Sequence, residues 1–497
     1  MQSRRDQVQA YSFTVGRLSS GMLAADPDAV DTPMSRTRRG AVTGALIALL
    51  LCAGFTVFGL LFPKDSDAWR APDALITEKE TGARYLYGDG VLRPVLNYAS
   101  AKLITGKDGK VVQVSRATLA DVPRGTPIGI PGAPDSLPAA GQLSDAAWQV
   151  CATTRAAADG TREPATTLAA GAAPGAAALG ADEALLVTAA DGRQRTAYLL
   201  WRGRRLRLDT GHGALQSLGY GTTEPLTAGA AFLAAVPAGP DLSAPEVPGR
   251  GGKGPVLGGA QRRIGQYAVV RTPGSAEQYY LLGRTGLAPL TLTELQLLRG
   301  DPRTRSGAYG GREPSAIVLQ PDEAAQHLAP GGAITGDGLP VRPPKALAPR
   351  AGTVPCLRVT PAGTTPRQEF VRVPAAQATG LHPVPRQGVA AGCPAPDLIA
   401  VRPGSGVLAA PTATGTARYL VTDDGIKYPL AAPAVAGRLS YTDADVVRLP
   451  SALLRLLPTG SVLDPERAAR PALSGPEPAA ADPECRTGQP NGKERTP

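Results

Sequence analysis

Histidine is scarce in this chain, with three in 497 residues at His212, His327 and His382, none of them near another. A histidine-based metal centre or acid–base site therefore has no raw material, and no C-x-x-C offers thiolates in its place. Aromatic residues make up only 4%. Glycine (59) and proline (49) exceed a fifth of the chain, which predicts many turns and short elements and excludes a helical bundle. G-x-S-x-G, H-E-x-x-H and an S-x-x-K with its partner motifs are all missing. The nearest approaches to a phosphate loop, Gly106-Lys107-Asp108-Gly109-Lys110 and Gly249-Arg250-Gly251-Gly252-Lys253-Gly254, do not satisfy G-x-x-x-x-G-K-[ST]. They read as a turn and a linker. No cofactor, no metal and no catalytic residue is expected.

The net charge of +10 is spread widely. Its densest cluster is Arg202, Arg204, Arg205 and Arg207 on a predicted strand, where alternate arginines form a solvated face. Anionic cell-envelope polymers are the sharper alternative. No nucleic-acid-binding module accompanies these charges, and no nucleic acid is expected as a partner.

Long apolar runs are also lacking, with one exception. Residues 41–62 read AVTGALIALLLCAGFTVFGLLF without a charge. A helix of that length rises roughly 33 Å, enough for a hydrocarbon core of about 30 Å. Arg36, Arg38 and Arg39 precede it, while Lys64, Asp65 and Asp67 follow. The positive-inside rule then places the N-terminus in the cytoplasm and residues 63–497 outside. A cleaved signal peptide fits poorly, because the run is too long, begins late and lacks an A-x-A site.

Cys52 falls within this span. Cys151, Cys356, Cys393 and Cys485 lie beyond it, in a compartment where disulfides form, and four cysteines allow three connectivities.

Self-similarity carries the architecture. Tyr85-Leu86-Tyr87-Gly88-Asp89-Gly90-Val91-Leu92-Arg93 has the pattern of a hairpin, followed by the helical-looking 115–122 and by Pro123-Arg124-Gly125. Tyr198-Leu199-Leu200 leads in the same way through 232–236 to Pro237-Ala238-Gly239. Tyr419-Leu420-Val421 leads through 451–457 to Pro458-Thr459-Gly460, and both intervals are 39 residues. Tyr280-Leu281-Leu282 opens a weaker copy without a clear P-x-G end. A unit of about 45 residues cannot bury a sufficient core alone, so each must dock on something shared. The uneven spacing of the copies excludes a solenoid. Residues 156–181 read as a surface loop, 241–254 and 331–349 as linkers, and the chain from about Arg470 as a disordered tail.

The opening Gln2-Ser3-Arg4-Arg5-Asp6-Gln7-Val8-Gln9-Ala10-Tyr11-Ser12-Phe13 with Arg17-Leu18 closely resembles the start of EccB proteins, membrane components of actinobacterial type VII secretion systems. The shared order continues through Asp28-Ala29-Val30-Asp31, Pro33, the span, Leu75-Ile76, Tyr85-Leu86, Gly90, Leu92, Pro94-Val95, Asn97 and Ala99-Ser100-Ala101. The resemblance implies a core domain surrounded by four repeat domains. It also implies assembly with an EccC-like ATPase and EccD-like and EccE-like membrane subunits into an oligomeric pore, with a mycosin-like protease nearby. A core-domain disulfide is implied at Cys151 and Cys356, leaving Cys393 and Cys485 unassigned. Weak nucleotide hydrolysis has been proposed for the family.

The expected fold is α+β: one N-terminal transmembrane helix, then an elongated extracytoplasmic region with a β-rich core and four small hairpin-helix repeats. The expected boundaries are 1–40 cytoplasmic, 41–62 span, 63–137 linker and repeat one, 195–250 repeat two, 277–330 repeat three, 405–469 repeat four and 470–497 tail. The core is expected from 138–194, 251–276 and 331–404. In the cytoplasmic segment, Val8, Tyr11, Val15, Leu18 and Met22 recur at steps of three and four, which predicts a helix with one apolar stripe. The resemblance favours a protein partner for that stripe over lipid headgroups. The expected role is a structural, non-enzymatic secretion subunit; the alternative is an extracytoplasmic nucleotide hydrolase or a cell-wall-binding enzyme on the same anchor.

Overall fold

The computed structural model describes residues 3–25, 33–61, 67–171, 176–189, 196–330, 338–412 and 415–472. It divides into two compact units, Met1–Ala71 with Val114–Asp121 and Pro72–Gln113 with Val122–Pro497.

The first unit is helical. One helix runs Arg4–Ala24 and a second runs Pro33–Leu61. Asp6 closes the start of the first by accepting twice from Ser3: the hydroxyl donates to Asp6 Oδ2 at 2.9 Å and the amide to the same oxygen at 3.2 Å. The second contains one stretch long and apolar enough to cross a membrane, Thr37–Val57. The basic flank of the span is thus part of the same helix. The expected end of the run at Phe62 lies outside the described residues.

The second unit is built from small sheets. Four of them share one strand order, in which the two later antiparallel strands lie to one side of the first and a fourth strand lies on its other side. In chain order the first strands are Ala74–Glu78, Glu183–Ala189, Tyr267–Val270 and Val407–Pro411. The fourth strands of the later three sheets, Leu226–Ala228, Ile317–Leu319 and Val446–Leu449, run parallel to their first strands. In each of these three, a helix separates the third strand from the fourth, so the parallel crossover is helical as its geometry demands.

The recurrent P-x-G is the exit strand of this unit. It lies parallel to the third strand, through bridges Leu92–Arg124, Arg205–Ala238 and Lys427–Thr459. The proline, which has no N–H, offers only its carbonyl, accepting from Leu92 (2.8 Å), Arg205 (2.9 Å) and Lys427 (2.9 Å). The glycine amide donates back to the same three residues. A Cβ on Gly460 would run into the buried Tyr428 ring, so glycine fits there, while one on Gly239 would push the end of the Leu206 side chain aside. The weaker copy makes the identical pair of bonds through His327-Leu328-Ala329 onto Leu287, without proline or glycine.

Between these sheets stands a six-stranded one that includes Trp148–Ala156, Arg162–Ala169, Thr353–Thr360, Arg367–Pro374 and Leu398–Ala400. Its inner face, with Trp148, Val150, Leu357 and Phe370, shares one apolar cluster with the Ala230–Ala235 helix of the second repeat and the Ser451–Leu456 helix of the fourth. The second and fourth repeats therefore dock on this shared sheet.

Five stretches depart from expectation. Residues 183–189 and 267–270, expected in the core, are the first strands of the second and third repeat sheets. Lys253–Leu257 and Ala260–Arg263 form a hairpin of their own. Each repeat begins one strand earlier than its tyrosine, because a first strand flanked on both edges and covered on both faces has no alternation to reveal it. Residues 156–181 hold a complete strand, Arg162–Ala169, paired with Trp148–Ala156 over eight positions, rather than only a loop. Its start is fixed by Asp159, whose Oδ1 accepts from the Thr161 amide at 2.9 Å. Lys345–Leu347, within an expected linker, adds to the edge of Glu183–Ala189. Residues 331–337 and the tail beyond 472, with Cys485, lie outside the described residues.

Candidate functional site

Cys151 and Cys356 face each other on neighbouring antiparallel strands and are disulfide-bonded. The bond closes a loop of 205 residues and is almost fully buried. Closing a loop of that length restricts the unfolded chain by about 5 kcal/mol in the entropy model. It ties two strands on either side of the second and third repeats. Cys393 is disulfide-bonded as well, while Cys52 is free and exposed on the apolar helix.

Val8, Tyr11, Val15, Leu18 and Met22 all lie on the Arg4–Ala24 helix, and all five are exposed, from 43% at Val15 to 84% at Met22. Their steps of three and four set them along one side. Phe13, also exposed, falls on the opposite side and breaks the expected one-sidedness.

The two phosphate-loop lookalikes are closed turns. The Gly106 amide caps the Tyr98–Thr105 helix at the Lys102 carbonyl, Gly109 donates to Gly106, and Lys110 donates to Asp73. In the second, Arg250, Gly251 and Gly252 donate to Val247, Ile264 and Gly249. A phosphate cradle needs several free, converging amides, and these are engaged.

A cleft of about 330 Å³ lies between the 132–136 segment, Arg386 and the turn at Asp423-Asp424. Its charges answer one another: Arg386 pairs with Asp424 at 2.8 Å, Arg84 with Asp135 at 3.0 Å, and the Gly404 amide donates to Asp423 at 2.7 Å. No group of three or more metal-ligating side chains occurs among the described residues. The arginine hairpin is solvated as expected at Arg204 and Arg207, the latter paired with Asp241, whereas Arg205 stacks on Tyr198 at 5.5 Å. The same stacking recurs as Arg124 on Tyr85 and Lys427 on Tyr419, so the repeat tyrosine serves to seat a cation rather than a ligand.

What the geometry offers is surface and linkage. The model of the type VII secretion system ESX-1 transport TM domain B matches residues 1–472. The chain belongs to the EccB family. The ESX-3 secretion system ATPase EccB3 of Mycolicibacterium smegmatis is 30% identical over 442 residues, covering 85% of this chain and 82% of the relative. EccB3 of Mycobacterium tuberculosis is 31% identical over 65% of this chain and 60% of its own length. Among solved structures, a chain of an intact ESX-5 inner membrane complex matches 97% of this chain and 98% of its own (TM-score 0.64, 23% identity). A chain of the EccB3 dimer from the ESX-3 core complex matches 80% and 100% (TM-score 0.63, 25% identity). EccB-family proteins are membrane components of type VII secretion, and this chain carries the family's fold with a candidate span at its N-terminus.

Proposed function

We propose that this EccB-family chain is a structural subunit of a type VII secretion membrane complex, anchored by the Pro33–Leu61 helix with residues 1–40 in the cytoplasm and the sheets outside. The observation that carries this reading is an apolar stretch long enough to cross a membrane, one such among the described residues, joined to a body whose cleft charges pair with one another. Related chains occur in an ESX-5 inner membrane complex and as an EccB3 dimer, which supports self-association and membrane partners here. EccC-like, EccD-like and EccE-like subunits are the proposed neighbours, with a mycosin-like protease on the outer side. The side of the first helix carrying Val8, Tyr11, Val15, Leu18 and Met22 is the proposed cytoplasmic docking surface. Gly16 and Gly21 weaken that helix, and its exposed apolar residues gain by burial against a partner.

Tyr11→Asp combined with Leu18→Asp tests this. Loss of EccC-like and EccD-like proteins from the purified complex, with the chain still in the membrane, is the expected result. Unchanged recovery and secretion would overturn the docking role. Relatives bear the name ATPase, which favours nucleotide hydrolysis as a second reading. ATP turnover that co-purifies with the full chain and disappears in Lys110→Ala would establish it over the purely structural one.

A further inference from the structure

We infer that residues Asp464 to Ala472 form a releasable strap that clasps the first repeat sheet onto the fourth. After its exit strand, the fourth repeat does not end at its own sheet. Leu463, fully buried, still pairs with Leu430 in the fourth repeat. The chain then crosses over. Asp464 caps a one-turn helix, Pro465–Ala468, by accepting from the Glu466 amide at 2.9 Å. Ala468 is fully buried in the same apolar cluster as Ala99 and Leu103 of the Tyr98–Thr105 helix. Pro471 then makes an antiparallel bridge with Ile128, the exit strand of the first repeat.

That last bridge is thin. Pro471 has no N–H to donate, and Ile128 already donates to Pro94 and accepts from Leu96. Beside it, the Ala472 amide donates to the Pro127 carbonyl at 2.8 Å. The strap meets the first repeat through one helical turn whose fully buried side chain is Ala468, and through the backbone bond at Ala472, whereas the core sheet is held by eight-position ladders and a disulfide. Local opening follows such differences in contact density, so the strap opens at a lower free energy than the core. The first repeat is the one reached directly after the apolar helix in the chain, and unclasping it loosens that repeat while the core stays closed.

Hydrogen exchange of the full-length membrane protein, read by mass spectrometry, tests the inference. A chain stopped after Leu463 should exchange the amides of residues 98–105 at least about tenfold faster, with those of 148–156 and 353–360 unchanged. A chain stopped after Ala472 keeps the strap while losing Cys485, and its residues 98–105 should stay slow; acceleration there would overturn the strap by assigning the effect to the residues beyond it. Equal acceleration in the core strands, or no acceleration in 98–105, overturns the strap. Because the shorter chain could misfold, Ile128→Cys with Pro471→Cys supplies an independent reading. Once oxidised, this pair should slow exchange in 98–105 below that of the unmodified chain, and reduction should restore it. Exchange indifferent to that lock would show that opening does not pass through the strap.

Discussion

Repeats one and four meet through apolar side chains. Leu103 and Ile130 of the first pack among Leu420, Tyr428 and Leu439 of the fourth, and Arg438 donates to the carbonyls that end the Tyr98–Thr105 helix, at 3.1 Å for Leu103. Repeats two and three meet more tightly at one point. Gly300 ends the Leu292–Gly300 helix so close to Ser217 that a Cβ there would collide with it. Beside it, the fully buried Asp301 receives Arg250 and Arg303 at 3.5 and 2.9 Å. Both pairs share one device. Tyr441 donates to the Pro138 carbonyl and Tyr220 to the Pro344 carbonyl, each at 2.8 Å, where the chain passes between repeat and core. Burial raises the pKa of both phenols, so both remain donors at any physiological pH. A common frame can thus be joined either by a broad apolar seat with a strap or by a close backbone approach with a buried ion cluster.

The largest expected effect is on the apolar seat. Leu103→Ala should cost about 3 kcal/mol in chemical denaturation, and exchange should quicken in repeats one and four only. Gly300→Val should cost about 2 kcal/mol in the other pair, and adding Ser217→Gly should recover most of it; additive losses would show that the contact is not the cause. Tyr441→Phe and Tyr220→Phe should each cost about 1 kcal/mol, and clearly unequal losses would break the parallel between the pairs. The smallest effect separates them by pH. Burial opposes ionisation of Asp301, but hydrogen bonds from Arg303 and the charges of Arg303 and Arg250 outweigh it and lower its pKa. A depressed carboxylate pKa gives stability that is present above the unfolded value of about 3.9 and is lost as pH falls through the folded value. On acidification below about pH 4, the third repeat should therefore lose exchange protection before the first, and Asp301→Asn should remove that pH dependence.

Much of this molecule is locally written. The Asp89-Gly90 turn, with both residues at positive φ, is the conformation a two-residue hairpin needs, and Arg202-Gly203 adopts it with a less suitable first residue. The P-x-G exits were legible as a spacing, because a fixed count of residues spans one sheet and its crossover. Their counterpart at His327-Leu328-Ala329 was not, since the bonds are backbone bonds and need no particular side chain once the register is set. The docking stripe could be read from its period, but Phe13 on the far side could not be weighed without a partner surface.

By itself the sequence determined the apolar span, the four tyrosine-led hairpins, the family and the cysteines available for pairing, because each depends on a local pattern or a count. Only the tertiary structure decided where each repeat begins, that one joins four and two joins three, and that the chain returns from residue 464 to clasp its own first sheet. Those choices rest on buried leucine, valine and alanine side chains at Ala184–Val187 and Val407–Ala410, and on Leu463 and Ala468. Such side chains attract any apolar surface alike, so complementarity of shape across hundreds of residues selects the partner, and no local period records it.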